Sequence, residues 1–138
     1  RFMKDNDIPT ACLEGEEKRV LIVDDDPEIV GLLEELLKND DRFEIKTAAT
    51  GYDAGLLTES FKPHVLLLDY MLPDINGNLV CERIKANPEF EETRVIVISG
   101  VVPQEDIDSL FESGADAFIK KPFNVEDIIK KIDELVSE

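Results

Sequence analysis

The stretch RVLIVDDDPEIVGLLEELL, residues 19–37, decides the fold of this chain. A short apolar run, Arg19 to Val23, ends in three aspartates, and the segment Glu28 to Leu37 then repeats apolar residues at helical spacing. The first run predicts a strand, and the second predicts a helix with one apolar face. A strand that leads directly into a helix is the repeating unit of α/β proteins.

The same alternation continues to the end of the chain. We expect further strands at residues 43–48, 64–68, 95–98 and 117–119, and further helices at 51–61, 78–85, 104–113 and 125–136. Gly114 is expected to cap the helix before it. Strands joined through helices make right-handed crossovers and a parallel sheet with helices on both faces. The sequence therefore predicts a doubly wound, five-stranded α/β fold.

Composition narrows the class of protein. The 138 residues suit one globular domain, with 43% hydrophobic and 34% charged residues. A net charge of -17 opposes direct binding of nucleic acid, because a phosphate backbone attracts Lys and Arg. No apolar run approaches the roughly 20 residues that span a bilayer, so we expect a cytoplasmic protein without membrane contact. Cys12 and Cys81 have no motif spacing and are expected to be free thiols.

Polar side chains stand at the carboxyl ends of the predicted strands. They are Asp24, Asp25 and Asp26 after the first strand, Asp69 after the third, Ser99 after the fourth and Lys121 after the fifth. In parallel sheets, ligand-binding and catalytic residues commonly lie at this edge. Several carboxylates brought together repel unless a cation joins them, and such oxygen ligands suit Mg²⁺. A Lys ammonium and a Ser hydroxyl can meet the charge of a phosphoryl group, which makes Asp69 the candidate nucleophile.

Four segments resemble, in order and spacing, the motifs of response-regulator receiver domains, the CheY-like family of two-component signalling. They are VLIVDDDPEI (20–29), HVLLLDYMLPDING (64–77), VIVISG (95–100) and ADAFIKKPF (115–123). The resemblance covers residues 18–136. It implies a flavodoxin-like sheet of strand order 2-1-3-4-5, with residues 18–138 as the receiver domain. Residues 1–17 are then expected to be a linker or the end of an upstream domain.

The resemblance also implies a role for each site residue. Asp69 is expected to be the phosphoacceptor and a metal ligand, Asp25 a direct ligand of Mg²⁺, Asp24 a ligand acting largely through water, and the backbone carbonyl of Met71 a further ligand. Ser99 and Lys121 would bind the phosphoryl oxygens. Phe118 matches the family's switch aromatic, although Phe stands where Tyr is frequent, and Ser99 stands where Thr is commoner.

The function implied is that of a signalling phosphoacceptor and not of an enzyme, although it would assist its own phosphotransfer and autodephosphorylation. A histidine kinase, a phosphotransfer protein or a small phosphodonor would supply the phosphoryl group in the presence of Mg²⁺. Phosphorylation would change the face formed by the fourth helix, fifth strand and fifth helix. That face would control an attached output domain or a downstream protein, with transcription one candidate output.

Two other function classes are weighed against this one. A phosphohydrolase with an aspartate nucleophile is suggested by the superficial likeness of residues 24–26 to the DxD of haloacid-dehalogenase-like enzymes. That family expects Thr or Val where Glu28 stands. A flavodoxin-like nucleotide binder would need a Gly-, Ser- or Thr-rich loop after the first strand, whereas DDDPE carries the opposite charge.

Some polar residues have simpler structural interpretations. Asp26 is expected to cap the helix that Pro27 opens, because a short acidic side chain accepts hydrogen bonds from free amides. Lys120 is expected to be solvated, since the family's functional lysine directly precedes proline. His64 is expected to have an edge role at the start of its strand.

Overall fold

The computed structural model describes residues 18–39, 42–100 and 104–136, and the structural statements below concern those ranges. Residues 1–17, expected to be a linker or the end of an upstream domain, and Cys12 among them, lie outside the described residues. So do residues 101–103, which follow the fourth strand.

Five strands and five helices alternate along the chain. They are β1 (Lys18–Val23), α1 (Pro27–Lys38), β2 (Phe43–Ala48), α2 (Gly51–Phe61), β3 (Val65–Asp69), α3 (Gly77–Lys85), β4 (Arg94–Ser99), α4 (Gln104–Glu112), β5 (Ala117–Lys120) and α5 (Val125–Val136). All strand pairs are parallel, and the order across the sheet is β2-β1-β3-β4-β5. The predicted fold and strand order are confirmed.

The core consists of two apolar layers, one on each face of the sheet. Alternate residues of β1, β3 and β4 enter opposite layers, because successive side chains of a strand point to opposite faces. One layer includes residues of α2, α3 and α4, and the other includes residues of α1 and α5. All five residues of β3 are buried, including Asp69 at its end. The middle of the sheet is therefore the least accessible place for a charge.

Short polar side chains begin three of the helices. Asp26, Thr50 and Asn76 each accept a hydrogen bond from a backbone N–H in the first turn that follows. The capping role predicted for Asp26 is confirmed. These caps fix where the helices start, immediately beyond the edge of the sheet that carries the polar residues.

The amino-terminal edge of the sheet is closed by a separate polar network. Asp116, before β5, accepts a hydrogen bond from the backbone N–H of Val95 at 2.8 Å and is 3.2 Å from the Lys85 ammonium. His64 accepts a hydrogen bond from the backbone N–H of Arg19 through Nδ1 at 2.9 Å, which agrees with the edge role expected for it. Gly114 has φ of 115°, where Gly is favoured, and so ends α4 as predicted.

The sequence did not predict the short 3-10 helix Pro88–Phe90 between α3 and β4. Asn87 caps this turn, and Phe90 is buried against the α2–α3 side of the core. Cys81 is buried as a free thiol, as expected. Within the described ranges, no helix is long and apolar enough to cross a membrane.

Candidate functional site

Three carboxylates meet at the carboxyl edge of the sheet. Asp24 and Asp25 follow β1, and Asp69 ends the neighbouring strand β3. One oxygen from each lies within 4.8 Å of an oxygen of the other two. Asp24 and Asp69 are only 4% and 8% exposed, whereas Asp25 faces solvent. The predicted convergence of these three residues is therefore observed.

Backbone bonds hold Asp24 in place. Its N–H donates to the carbonyl of Ala48 at 3.1 Å, which extends the pairing of β1 with β2 by one residue. Its side-chain Oδ1 accepts from the N–H of Asp26 at 2.9 Å. Asp26 itself accepts from the N–H of Glu28 at 3.0 Å and is not one of the three clustered carboxylates. The three consecutive aspartates thus have different structural roles.

Lys121 supplies the positive charge of the cluster. Its ammonium nitrogen is 3.1 Å from Asp24 Oδ2 and 3.8 Å from Asp69 Oδ1. The backbone N–H of Lys121 donates to the carbonyl of Ser99 at 2.9 Å, which fixes the residue beside β4, and its bond to Pro122 is cis. Lys120, by contrast, is exposed, as expected.

Burial and like charges perturb Asp69. Desolvation, together with the nearby Asp24 carboxylate, raises the pKa of Asp69 to about 6 from an ordinary 3.8. The Lys121 ammonium and the N–H of Met71 act in the opposite direction but do not offset the burial. An acidic group poised near neutral pH in a polar cluster is a recognised mark of a functional site.

The donor set fits a hard divalent cation. Within the described residues, the Lys121 ammonium is the one that pairs with this cluster, and the pKa of Asp69 is raised mainly by burial and further by the Asp24 carboxylate. Carboxylate oxygens from two adjacent strand ends are ligands that Mg²⁺ accepts, with water completing its coordination. A cleft of about 450 Å³, lined by Asp24, Asp25, the start of α1 and residues 47–49, lies beside the cluster.

The other predicted site residues occupy the surroundings of this cluster. Met71 donates its N–H to Asp69 Oδ1 at 3.4 Å, and its side chain is exposed. Ser99 is 2% exposed at the end of β4, which pairs with β3. Phe118 is half-buried on β5, against the core layer that includes α4 residues. Met71 and Ser99 thus lie at the polar edge, whereas Phe118 pairs with Val97, two residues before the end of β4, and the roles of all three stay predictions.

One residue of this region was missed by the sequence analysis. Asp74 lies in the loop between β3 and α3, and both of its carboxylate oxygens accept hydrogen bonds from the first N–H groups of α2. These hydrogen bonds hold the pKa of Asp74 below its usual value, that from Gly51 most of all. No motif signals this contact, because 22 and 23 residues separate Asp74 from its partners.

Comparisons with known proteins agree on one family. The model of the response regulator receiver domain matches residues 20–133. The DNA-binding dual master transcriptional regulator RpaA of Synechocystis is 30% identical over 118 residues, which make up 86% of this chain and 48% of that protein. The chain therefore spans about half the length of the curated relatives it matches.

Solved structures agree with the family match. The signal receiver domain of a DNA-binding response regulator from Colwellia psychrerythraea has 32% identity and a TM-score of 0.83, covering 88% of this chain and 100% of that one. The BeF3-activated DrrB receiver domain has 33% identity and a TM-score of 0.78, covering 88% of this chain and 99% of that one.

The raised pKa of Asp69 predicts how metal-free stability changes with pH. Because the folded state binds this proton more tightly than the unfolded state, stability should fall as pH rises from about 4 to 6. Asp69→Asn cannot ionise and so avoids this loss of unfolding free energy, which is on the order of 3 kcal/mol above pH 6. Denaturant unfolding in EDTA, at pH 4 and pH 7, should show a gain for the variant that is much larger at pH 7.

The exposed Asp108 of α4 provides the matched control. Asp108→Asn makes the same chemical change away from the cluster, and we expect its stability to differ from wild type equally at the two pH values. If the free energy of unfolding of Asp69→Asn differs from that of wild type by the same amount at pH 4 and pH 7, ionisation of Asp69 does not destabilise the fold.

Proposed function

The chain belongs to the receiver-domain family of response regulators, and from that membership we propose that it is a switch in which Asp69 accepts a phosphoryl group in the presence of Mg²⁺. One observation carries this proposal. The carboxylate of Asp69 lies buried at the end of the central strand, with two further carboxylates within 4.8 Å and the Lys121 ammonium 3.8 Å away.

Four residues would hold the metal. Asp25 and Asp69 would bind it directly, Asp24 largely through water, and Met71 through its backbone carbonyl. When bound, Mg²⁺ would neutralise the mutual repulsion of the carboxylates and part of the phosphoryl charge. This assignment is supported by the charge balance among the described residues, in which three carboxylates converge while the Lys121 ammonium pairs with Asp24 and Asp69.

The proposed transfer is a substitution at phosphorus. An ionised Asp69 oxygen attacks the phosphorus of the donor, the bond from phosphorus to the donor's nitrogen or oxygen breaks, and an aspartyl phosphate results. Lys121 and the hydroxyl of Ser99 would meet the phosphoryl oxygens. Asp69 must be ionised to attack, and its pKa of about 6 allows this at neutral pH. Water attack on the same phosphorus would return the free carboxylate, so the domain would assist its own dephosphorylation.

The partners follow from the family. A histidine kinase, a phosphotransfer protein or a small phosphodonor would charge Asp69, and an attached output domain or downstream protein would read the change. RpaA is described as a DNA-binding transcriptional regulator, which makes transcription one candidate output. The whole chain has a net charge of -17, and we therefore propose that residues 18–138 act as a receiver module that does not itself contact nucleic acid. Residues 1–17 would be a linker or the end of an upstream domain.

The alternative of a phosphohydrolase gains no support. The family match covers residues 20–133, and the relatives and structures described above are response regulators or their receiver domains. The non-enzymatic signalling role is therefore preferred over turnover of a substrate.

Transmission of the signal would begin at Ser99. Its hydroxyl would turn to a phosphoryl oxygen and draw the loop 100–103 inward, although residues 101–103 lie outside the described part of the chain. Phe118, half-buried between the sheet and the α4 side, would then turn into the space beside β5. Ligand contacts shift a two-state equilibrium only if they differ between the states, so the bond from Ser99 would form mainly in the active one.

Labelling by a small phosphodonor tests the phosphoacceptor. Wild type incubated with acetyl phosphate and Mg²⁺ should gain the mass of one phosphoryl group, and Asp69→Asn and Asp69→Ala should not. Asp26→Asn is the matched control, because this neighbouring aspartate caps α1 and should leave labelling intact. Intact-mass spectrometry decides between them. Labelling of Asp69→Ala at the wild-type rate would refute the assignment.

The role of Ser99 is tested by separating phosphorylation from the switch. Ser99→Ala should still become phosphorylated, more slowly than wild type, but should lose the change in α4 and β5 because the hydroxyl that couples them is gone. Amide chemical shifts from residues 101–118 are measured with and without beryllofluoride and Mg²⁺. Equal shifts in variant and wild type would mean that the signal leaves by another route.

A further inference from the structure

The loop between β3 and α3 is fastened to a helix outside its own βα unit. Asp74 accepts hydrogen bonds from the N–H groups of Gly51 at 2.8 Å and Tyr52 at 3.0 Å, one on each carboxylate oxygen. These are first-turn amides of α2, which have no partner within the helix. A negative charge there is also favoured by the helix dipole.

The contact is separate from the local cap of the same helix. Thr50 accepts from the N–H of Asp53 at 3.1 Å, which leaves the two preceding amides for Asp74. Ile75 packs against the backbone of Gly51 so closely that a Cβ at residue 51 would overlap its Cγ2 atom. Helix α2 is therefore stabilised at its start by two independent polar groups, only one of which belongs to the loop.

The remaining bonds of the loop are internal. Gly77 donates its N–H to the carbonyl of Tyr70 at 2.7 Å, and Met71 pairs with Asn76. Met71 also donates to Asp69 Oδ1. Among the hydrogen bonds within residues 42–100, those of Asp74 are the ones that tie residues 70–76 to an element other than β3 and α3. The position of the loop tip thus depends on α2.

We propose that Asp74 is a positioning residue for the metal and phosphoryl site. By fastening the loop to α2, it would restrict the motion of Met71, three residues away, and so hold the Met71 carbonyl and the Asp69 carboxylate in one arrangement. This rests on the proposed function, in which both groups bind Mg²⁺. A loop released from α2 would have to be ordered by each binding event, and affinity would fall by that conformational cost.

The test compares three variants of the full chain. Asp74→Ala removes both hydrogen bonds to α2 and leaves Ile75 packed on Gly51, Asp74→Asn keeps one acceptor oxygen, and Thr50→Ala removes the local cap of α2 without touching the loop. We expect the Mg²⁺ dissociation constant to rise on the order of tenfold in Asp74→Ala, less in Asp74→Asn, and not in Thr50→Ala. Each is measured by titration with MgCl2, alongside thermal unfolding without metal.

Two results would overturn the proposal: an unchanged dissociation constant in Asp74→Ala, or an equal rise in Thr50→Ala, which would show a general effect of loosening α2. Hydrogen exchange at the Met71 amide is read in metal-free samples of the same proteins, and it should accelerate in Asp74→Ala, less in Asp74→Asn, and not in Thr50→Ala. If wild type itself has no affinity for Mg²⁺, the proposed metal site fails, and the exchange comparison still decides whether Asp74 holds Met71 in place.

Discussion

The burial of the Asp69 carboxylate beside two like charges is the constraint on which the rest of the site depends. Its strand lies in the middle of the sheet, where neither face offers water, and Lys121 is the cation brought to it. A charge in such a place costs free energy unless opposite charge joins it. A cation or a proton bound at this site would lower that cost, and the phosphoryl group of the proposed function would add negative charge at the same place.

The two edges of the sheet differ in the partners that their carboxylates have. At the amino-terminal edge, Asp116 has a backbone N–H at 2.8 Å and the ammonium of Lys85 at 3.2 Å. At the carboxyl edge, the Lys121 ammonium pairs with Asp24 and Asp69, while the third carboxylate, that of Asp25, faces solvent. The network of Asp116 joins α3, β4 and β5, whereas the three carboxylates at the carboxyl edge lie close to one another and repel. Stability and chemistry are thus separated along the length of the strands.

Much of the fold was predictable because it follows from local patterns. Apolar runs predicted β1, β3, β4 and the short β5, and alternation predicted β2. Helical spacing predicted all five helices, and no predicted boundary differs from the observed one by more than one residue. The convergence of Asp24, Asp25 and Asp69 was also predictable, because parallel strands end at one edge. The contact of Asp74 with α2 was not, since it joins residues 22 and 23 positions apart through a loop whose path no pattern sets. The 3-10 helix at Pro88–Phe90 was too short to show a period.

The central proposal, that this cluster binds a cation in competition with a proton on Asp69, is tested most directly by titrating wild type with MgCl2 at pH 6 and pH 8. Calorimetry in two buffers of different ionisation enthalpy gives the number of protons released. Because the pKa of Asp69 is about 6, binding should release about half a proton per ion at pH 6 and almost none at pH 8. Asp25→Asn should bind much more weakly at both. Binding with no proton release at pH 6, or with unchanged affinity in Asp25→Asn, would contradict the account.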